Sequence, residues 1–228
     1  MFRLDTKHYQ NQTLVEVAYK ALKKDITERT LVPGEKIILR ELHERYGISE
    51  TPIKQALNRL ITEGLIENIP RKGVKVKSIK WEDIEELLDI RMMIETYYIQ
   101  HIIQTFKDNP HIKDDFIKNI TEHKRIIEYG TGVNDYFQNY SLDQEFHQMF
   151  VKCSGNKRIV QIYSNLGTHA YAYYIYGKQS KEETIAGVEE HEAIFNALVT
   201  QNETELRRCI EMHIVNAKNK INKNIHIG

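Results

Sequence analysis

Apolar residues recur at helical spacing over most of this chain. Ile53, Ala56, Leu57, Leu60 and Ile61 repeat at i, i+3, i+4, i+7, i+8, while Glu50, Thr51, Lys54, Gln55 and Asn58 fall on the opposite face. Ser49 is a good N-cap and Pro52 sits in the first turn, where its missing N–H costs little, so a helix is predicted to start there. A shorter helix over residues 39 to 46 precedes it and ends at Gly47, which tolerates the left-handed turn between two such helices. One face of the second helix packs and the other is free, which makes it the recognition helix of a helix-turn-helix. After Gly64, residues 65 to 69 and 74 to 77 read as two short strands joined by Pro70, Arg71, Lys72 and Gly73, a wing with a cationic tip. An earlier helix over residues 13 to 29 puts Leu14, Val17, Ala18, Ala21, Leu22 and Ile26 on one stripe that closes the small core.

The Val-Lys alternation stops near Ser78, and from Asp83 a helical period takes over almost without interruption. Helices are predicted over residues 83 to 106, 111 to 129, 134 to 153, 156 to 176, 181 to 200 and 203 to 222, with breaks at Asn109-Pro110, Gly130 to Gly132, Ser154 to Asn156, and Gly177. The fold class that follows is mainly α: an N-terminal winged helix-turn-helix over residues 10 to 77, then an all-α antiparallel bundle of six helices over residues 83 to 222.

With 228 residues, 41% hydrophobic and 28% charged, the composition is that of an ordinary globular protein with room for two cores. The net charge of zero hides an asymmetry: residues 1 to 77 carry 15 basic against 10 acidic side chains, and residues 78 to 228 carry 17 against 22. A front half of +5 and a rear half of −5 would orient the molecule on a polyanion. No strongly apolar segment lies at the N-terminus and no run approaches the length of a bilayer span, so a cytoplasmic location without membrane partners is expected. Cys153 and Cys209 are too few and too far apart for a metal knuckle.

Asp143 and His147 stand one turn apart on a predicted helix and point the same way, and His191 and His213 lie on the last two helices. Three imidazoles and a carboxylate suit zinc, nickel, cobalt or ferrous iron with open positions left for a ligand. The same spacing also fits a hydrogen-bonded Asp/His pair or a chance surface arrangement.

The segments PGEKI, RELHERYGISETPIKQALNRLITEGLIE and RKGVKV resemble the DNA-binding domain of GntR-type bacterial transcription regulators. That resemblance implies DNA contacts at Arg40, at the start of the recognition helix, at Lys54 one turn later and at the wing Gly73. The candidate DNA-reading residues are Arg40, Ser49, Glu50, Thr51, Lys54 and Asn58 with Arg71, Lys72 and Gly73. Glu50 departs from the family, which usually has Arg there; a carboxylate repels phosphates, though it can accept from a cytosine amino group.

LDQEFHQMFVKCSGN, GVEEHEAIFNAL and RRCIEMHIVNAK resemble the FCD ligand-sensing domain of the FadR branch of that family. The resemblance implies that Asp143, His147, His191 and His213 ligate a divalent metal, zinc first, and that a small organic acid binds beside it. DIRMMIE resembles the family's Arg-then-Glu segment, which makes Arg91 the candidate partner of an effector carboxylate, while a structural Arg91–Glu95 pair fits equally well. On the helix predicted over 156 to 176, where relatives often carry Arg, this chain has aromatics and His; Tyr163 and His169 are the candidate lining residues.

The expected function is a DNA-binding transcriptional regulator, a repressor in keeping with the family, acting as a homodimer on an inverted repeat of double-stranded DNA. An effector that prefers one bundle conformation would change how the two winged helices are spaced. Two other readings are a metal-dependent hydrolase using the His/Asp set and an effector-independent DNA scaffold. Against the hydrolase, no general base is placed beside the metal: Glu192 follows His191 directly and so points elsewhere on a helix.

Overall fold

The computed structural model describes residues 13 to 78, 80 to 167, 170 to 173, 175 and 178 to 225. They form two compact units that meet between Ile79 and Lys80.

In the first unit, α1 (Leu14–Thr27) is capped by Thr13, whose hydroxyl accepts from the Glu16 amide, and it packs along α3 (Glu50–Thr62). Val17, Ala18 and Leu22 of α1 meet Ile53, Ala56 and Leu60 of α3 in a core where Leu22, Ile53 and Leu60 are fully buried. Two positions of the expected stripes differ: Leu14, in the first turn, is half exposed, and Ile61 is only partly covered. The Glu63 carboxylate at the end of α3 accepts from the Tyr19 hydroxyl at 2.7 and 2.8 Å and pairs with Lys23 at 3.0 Å, which ties the two helices together.

The short α2 (Leu39–Tyr46) is held to α1 through Asp25, which accepts from Arg45 at 2.8 Å and from the Tyr46 hydroxyl at 2.7 Å. It stops at Gly47, whose φ of +67° is cheap only for glycine, and the His43 ring donates to the Ile48 carbonyl at 2.8 Å across the turn. Ser49 occupies the N-cap position of α3, although its side chain makes no capping bond. The wing is β2 (Ile66–Ile69) and β3 (Gly73–Val76), paired antiparallel with Glu67 opposite Lys75 and Ile69 opposite Gly73. Arg71 at φ +65° and Gly73 at φ +95° make the turn. A third strand that the pattern did not predict, β1 (Lys36–Ile37), pairs with the other edge of β3 and places that strand in the centre.

The second unit is helical, with seven α-helices among the described residues where six were expected. The segment predicted as one helix over 83 to 106 is two, α4 (Trp81–Tyr97) and α5 (Ile99–Asp108), because Tyr98 leaves the helical region at φ −96°, ψ +12°. The buried positions Ile84, Leu88, Arg91, Glu95, Ile99, Ile102 and Phe106 keep helical phase across that break, so periodicity alone could not show it. Next come α6 (His111–Tyr129) and α7 (Val133–Lys152). The helix predicted over 156 to 176 is α8 (Lys157–Asn165), ended by Gly167 at φ +64°, followed by a single 3₁₀ turn at Ala170–Tyr173. Finally α9 (Lys181–Val199), capped reciprocally by Ser180 and Glu183, packs against α10 (Glu203–Ile225), which also packs on α4. Phe116 sits edge-on to Phe146 at 5.2 Å in the core, and Phe146 stacks on the His191 ring at 4.2 Å.

Candidate functional site

Four helices supply the polar centre of the second unit. Arg91 and Glu95 are one turn apart on α4, Asp143 and His147 one turn apart on α7, Glu190 and His191 lie on α9, and His213 lies on α10. Their bundle-facing positions bury the three imidazoles almost completely and leave Asp143 20% exposed.

One ligand-type atom from each of Asp143, His147, His191 and His213 lies within 4.8 Å of every other. The His147 Nε2 atom is 3.1 Å from that of His191 and 3.2 Å from that of His213, and His191 Nε2 is 3.3 Å from Asp143 Oδ1. The tautomers follow from what lies behind two of the rings. His147 Nδ1 donates to Glu95 Oε2 at 3.0 Å and His213 Nδ1 donates to Glu190 Oε2 at 2.7 Å, so both turn Nε2 lone pairs toward the centre. Burial and the Arg91 cation push His147 down to about 4, and burial pushes His191 well below the ordinary imidazole range, so both rings are neutral at neutral pH.

Converging lone pairs beside a carboxylate repel one another unless a cation sits among them. Two nitrogens each about 2.1 Å from one ion stand about 3.0 Å apart at a right angle and about 3.4 Å apart at the tetrahedral angle. The separations of 3.1 and 3.2 Å fall between those limits. The residues therefore fit a divalent metal, and the carboxylate-backed imidazoles are the usual support for one.

Glu95 joins the centre to its neighbours. Besides His147, it accepts from Arg91 Nε at 2.7 Å and from the Tyr163 hydroxyl at 2.7 Å, with Arg91 and Glu95 each 1% exposed. Burial opposes ionisation of Glu95, yet His147 and the Arg91 guanidinium beside it hold its carboxyl below the ordinary carboxylate range. Arg91 also donates to His213 Nε2 at 3.4 Å. Arg91 makes the pair with Glu95 and also lines a small cavity of about 30 Å³ next to Asp143 and His213. Tyr163 is committed to Glu95 and is not among the described lining residues, whereas Tyr171 of the 3₁₀ turn is. His169 lies outside the described residues.

Sequence reasoning missed Glu190, His123, Gln179 and Lys220. Glu190 directly precedes a ligand-type His but serves His213 on the next helix, a pairing that no spacing within one helix reveals.

In the first unit, Glu50, Thr51, Lys54 and Asn58 are exposed on one face of α3, with Ser49 at its start and Arg71, Lys72 and Gly73 exposed at the wing tip. Arg40 lies in the first turn of α2 and is exposed, with Glu44 one turn on at 3.5 Å. Glu50 pairs with Lys54 at 2.8 Å, so the departing carboxylate is matched by a cation on the same face.

Residues 14–76 match the bacterial regulatory proteins of the gntR family, and residues 86–216 match the FCD domain. The chain belongs to the GntR family of bacterial regulators and carries an FCD domain. It is 26% identical over 198 residues to the HTH-type transcriptional regulator YdhC of Bacillus subtilis, covering 86% of this chain and 85% of that one. It is 22% identical over 215 residues to the gluconate operon transcriptional repressor of the same organism, covering 92% and 85%. The fold is that of E. coli McbR/YncC, with a TM-score of 0.67 at 17% identity over 93% of this chain and 98% of the other. The regulator thus binds DNA through its winged helix, and its His/Asp cluster belongs to a transcription regulator and not to an enzyme. Glu192, which follows His191 directly, is drawn off to Lys124 at 2.6 Å. Among the described residues no helix is long and apolar enough to cross a membrane.

Proposed function

We propose that this regulator is a cytoplasmic, metabolite-responsive repressor of the FadR subfamily. It acts as a homodimer on an inverted repeat, and a small carboxylate bound beside a metal in the helical domain controls its operator affinity. The DNA-binding domain is residues 10 to 77 and the sensing and pairing domain residues 83 to 222. Asp143, His147, His191 and His213 would hold the divalent ion, zinc first, since three imidazoles and one carboxylate are borderline-soft to hard donors that zinc accepts. When bound, the ion supplies a Lewis-acid seat for a carboxylate oxygen.

The observation that carries this reading is the convergence of three buried Nε2 atoms on Asp143, beside a cavity lined by the buried Arg91 guanidinium. Arg91 is oriented by Glu95 through Nε, its Nη2 reaches His213 Nε2 at 3.4 Å, and the residue lines the cavity, where a carboxylate could take a charge-assisted bond from the guanidinium. The name of the gluconate operon repressor among the relatives supports an organic-acid effector. On the DNA side, Arg40, Lys54, Arg71 and Lys72 would contact phosphates or base edges, with Ser49, Thr51, Asn58 and the close-lying Gly73 beside them.

The test is selection of genomic fragments by the purified, zinc-loaded protein at physiological salt, followed by release with candidate acids. Enrichment of a few fragments that share an inverted repeat, and their release by an organic acid, is the expected result. Uniform recovery of bulk DNA, indifferent to any acid, would leave an effector-independent scaffold instead.

A further inference from the structure

A donor and an acceptor stand side by side at the exposed start of α3. Glu50 opens the helix and Lys54 follows one turn later; Lys54 Nζ donates to Glu50 Oε2 at 2.8 Å, and both side chains are half exposed. Lys54 holds the Glu50 carboxyl below the usual carboxylate range, so at neutral pH it is ionised and only accepts. The ammonium spends one of its three protons on Glu50 and keeps two to give, while the carboxylate keeps lone pairs for further donors.

The charges of this face cancel. Arg59, the other cation of α3, is turned toward α1, 2.9 Å from Glu16 and 3.7 Å from the centre of the Tyr19 ring. Thr51, Gln55 and Asn58 complete the exposed face without charge. A face with no net charge gains little from counterion release, so what it adds to DNA binding is the reading of bases.

The pair matches one kind of base pair. In the major groove a G·C pair presents the cytosine N4 donor directly beside the guanine O6 acceptor, joined by a hydrogen bond of about 2.9 Å. Glu50 and Lys54 present the complementary acceptor and donor at nearly the same separation, so the carboxylate can accept from N4 while the ammonium donates to O6. An A·T pair also sets a donor, N6, beside an acceptor, O4, but its flanks oppose the fit. Adenine N7, an acceptor, adjoins N6 and repels the carboxylate, and the thymine methyl adjoins O4 and crowds the ammonium. In G·C the atom beyond O6 is N7, a second acceptor for Lys54, and no acceptor adjoins the cytosine amino group in the groove.

Resting on the reading of α3 as the recognition helix of a dimeric regulator, we propose that Glu50 and Lys54 act as one unit that reads a single C·G pair in each half-site. Glu50 takes the cytosine amino group and Lys54 the guanine of the same pair.

The experiment selects binding duplexes from a randomised library with the full-length protein at physiological salt. Fluorescence anisotropy then compares all four base pairs at each position of the selected half-site for wild type, Glu50→Ala, Glu50→Gln and Lys54→Met. At one position per half-site, wild type is expected to prefer C·G in one orientation by about 5- to 150-fold over the other three pairs. Glu50→Ala is expected to lose that preference and keep those at the other positions, which serve as the control for folding. Glu50→Gln is expected to move the preference toward adenine, which a glutamine amide matches through N6 and N7. Lys54→Met is expected to weaken the preference at the same position. A Glu50→Ala variant that keeps every preference and binds all sequences more tightly by one factor would show that Glu50 only repels phosphates, and would overturn the proposal while leaving DNA reading by α3 in place. A change at a different base pair in Lys54→Met would overturn the assignment of both side chains to one pair. Selection of no sequence by the wild-type protein would overturn the operator-binding reading itself, and the proposal with it.

Discussion

Glu95→Gln separates a working centre from a merely compact one. Glutamine keeps an oxygen where Oε1 accepts from Arg91 and Tyr163, but it puts an amide nitrogen where Oε2 accepts from His147 at 3.0 Å. Donor then faces donor. His147 either loses the contact or moves its proton to Nε2, the atom turned toward His191 and His213. Loss of an outer-shell partner of this kind lowers metal affinity about 10–100-fold, or about 1.4–2.7 kcal/mol. Neutralising Glu95 also removes the charge partner of Arg91, itself 1% exposed, and breaking a buried pair from one side costs about 3–5 kcal/mol. Asp143 still stabilises the Arg91 cation, so the lower end applies, and about 3 kcal/mol corresponds to roughly 10 °C in a domain of this size. The assay is competition of the stripped protein for zinc against a chromophoric chelator, with thermal unfolding of the metal-free form followed by circular dichroism. A variant that binds zinc as tightly as wild type and unfolds at the wild-type temperature would refute the assignment of Glu95 as the group that sets the His147 tautomer.

Three further outcomes are expected. Leu60→Ala, at a fully buried position on α3, should cost about 2–5 kcal/mol in urea unfolding of the winged-helix unit and leave zinc uptake intact. Gly130→Ala should destabilise the α6–α7 corner by about 1–3 kcal/mol even though its φ is ordinary, because the added Cβ would lie 2.4 Å from the Ile126 carbonyl oxygen and 2.7 Å from Asp135 Cβ; an unchanged melting temperature would contradict that close approach. Glu50→Arg frees Lys54 from its ion pair and adds a cation to the reading face, so the logarithmic salt dependence of binding to bulk DNA should steepen by about one to two, measured by fluorescence anisotropy. An unaltered slope would show that this end of α3 lies away from the phosphates.

The helix pair was legible because its signals are local. A packed face at 3.6-residue spacing, a glycine at Gly47 and a β-capable alternation around a Pro-Arg-Lys-Gly turn each act within a few residues, and the structure has φ +67° at Gly47 and the hairpin at that turn. The two-residue β1 is too short to show alternation and exists through its pairing with β3. The break at Tyr98 was illegible for the opposite reason, since the buried series runs through it in phase. Gly167 did carry a stop signal, and it went unread beside the run of aromatics that follows. In the site, the turn spacing of Asp143 and His147 and the family resemblance marked the four side chains that the fold brings together. The supporting carboxylates Glu95 and Glu190 act across helices, and Gln179 and Lys220 reach the cavity from distant points in the chain. Such pairings depend on how the helices pack, which local periodicity does not encode.

Zinc-edge X-ray absorption on the full-length protein, loaded after metal stripping and compared with a His191→Ala/His213→Ala variant, tests the metal centre most directly. One zinc per chain is predicted, with about three imidazoles and one carboxylate in its ligand shell, and the double variant should lose that shell and bind zinc at least about a hundredfold more weakly. A zinc shell without imidazole scattering, or one that the double substitution leaves unchanged, would contradict the convergence of His147, His191 and His213 on a single ion.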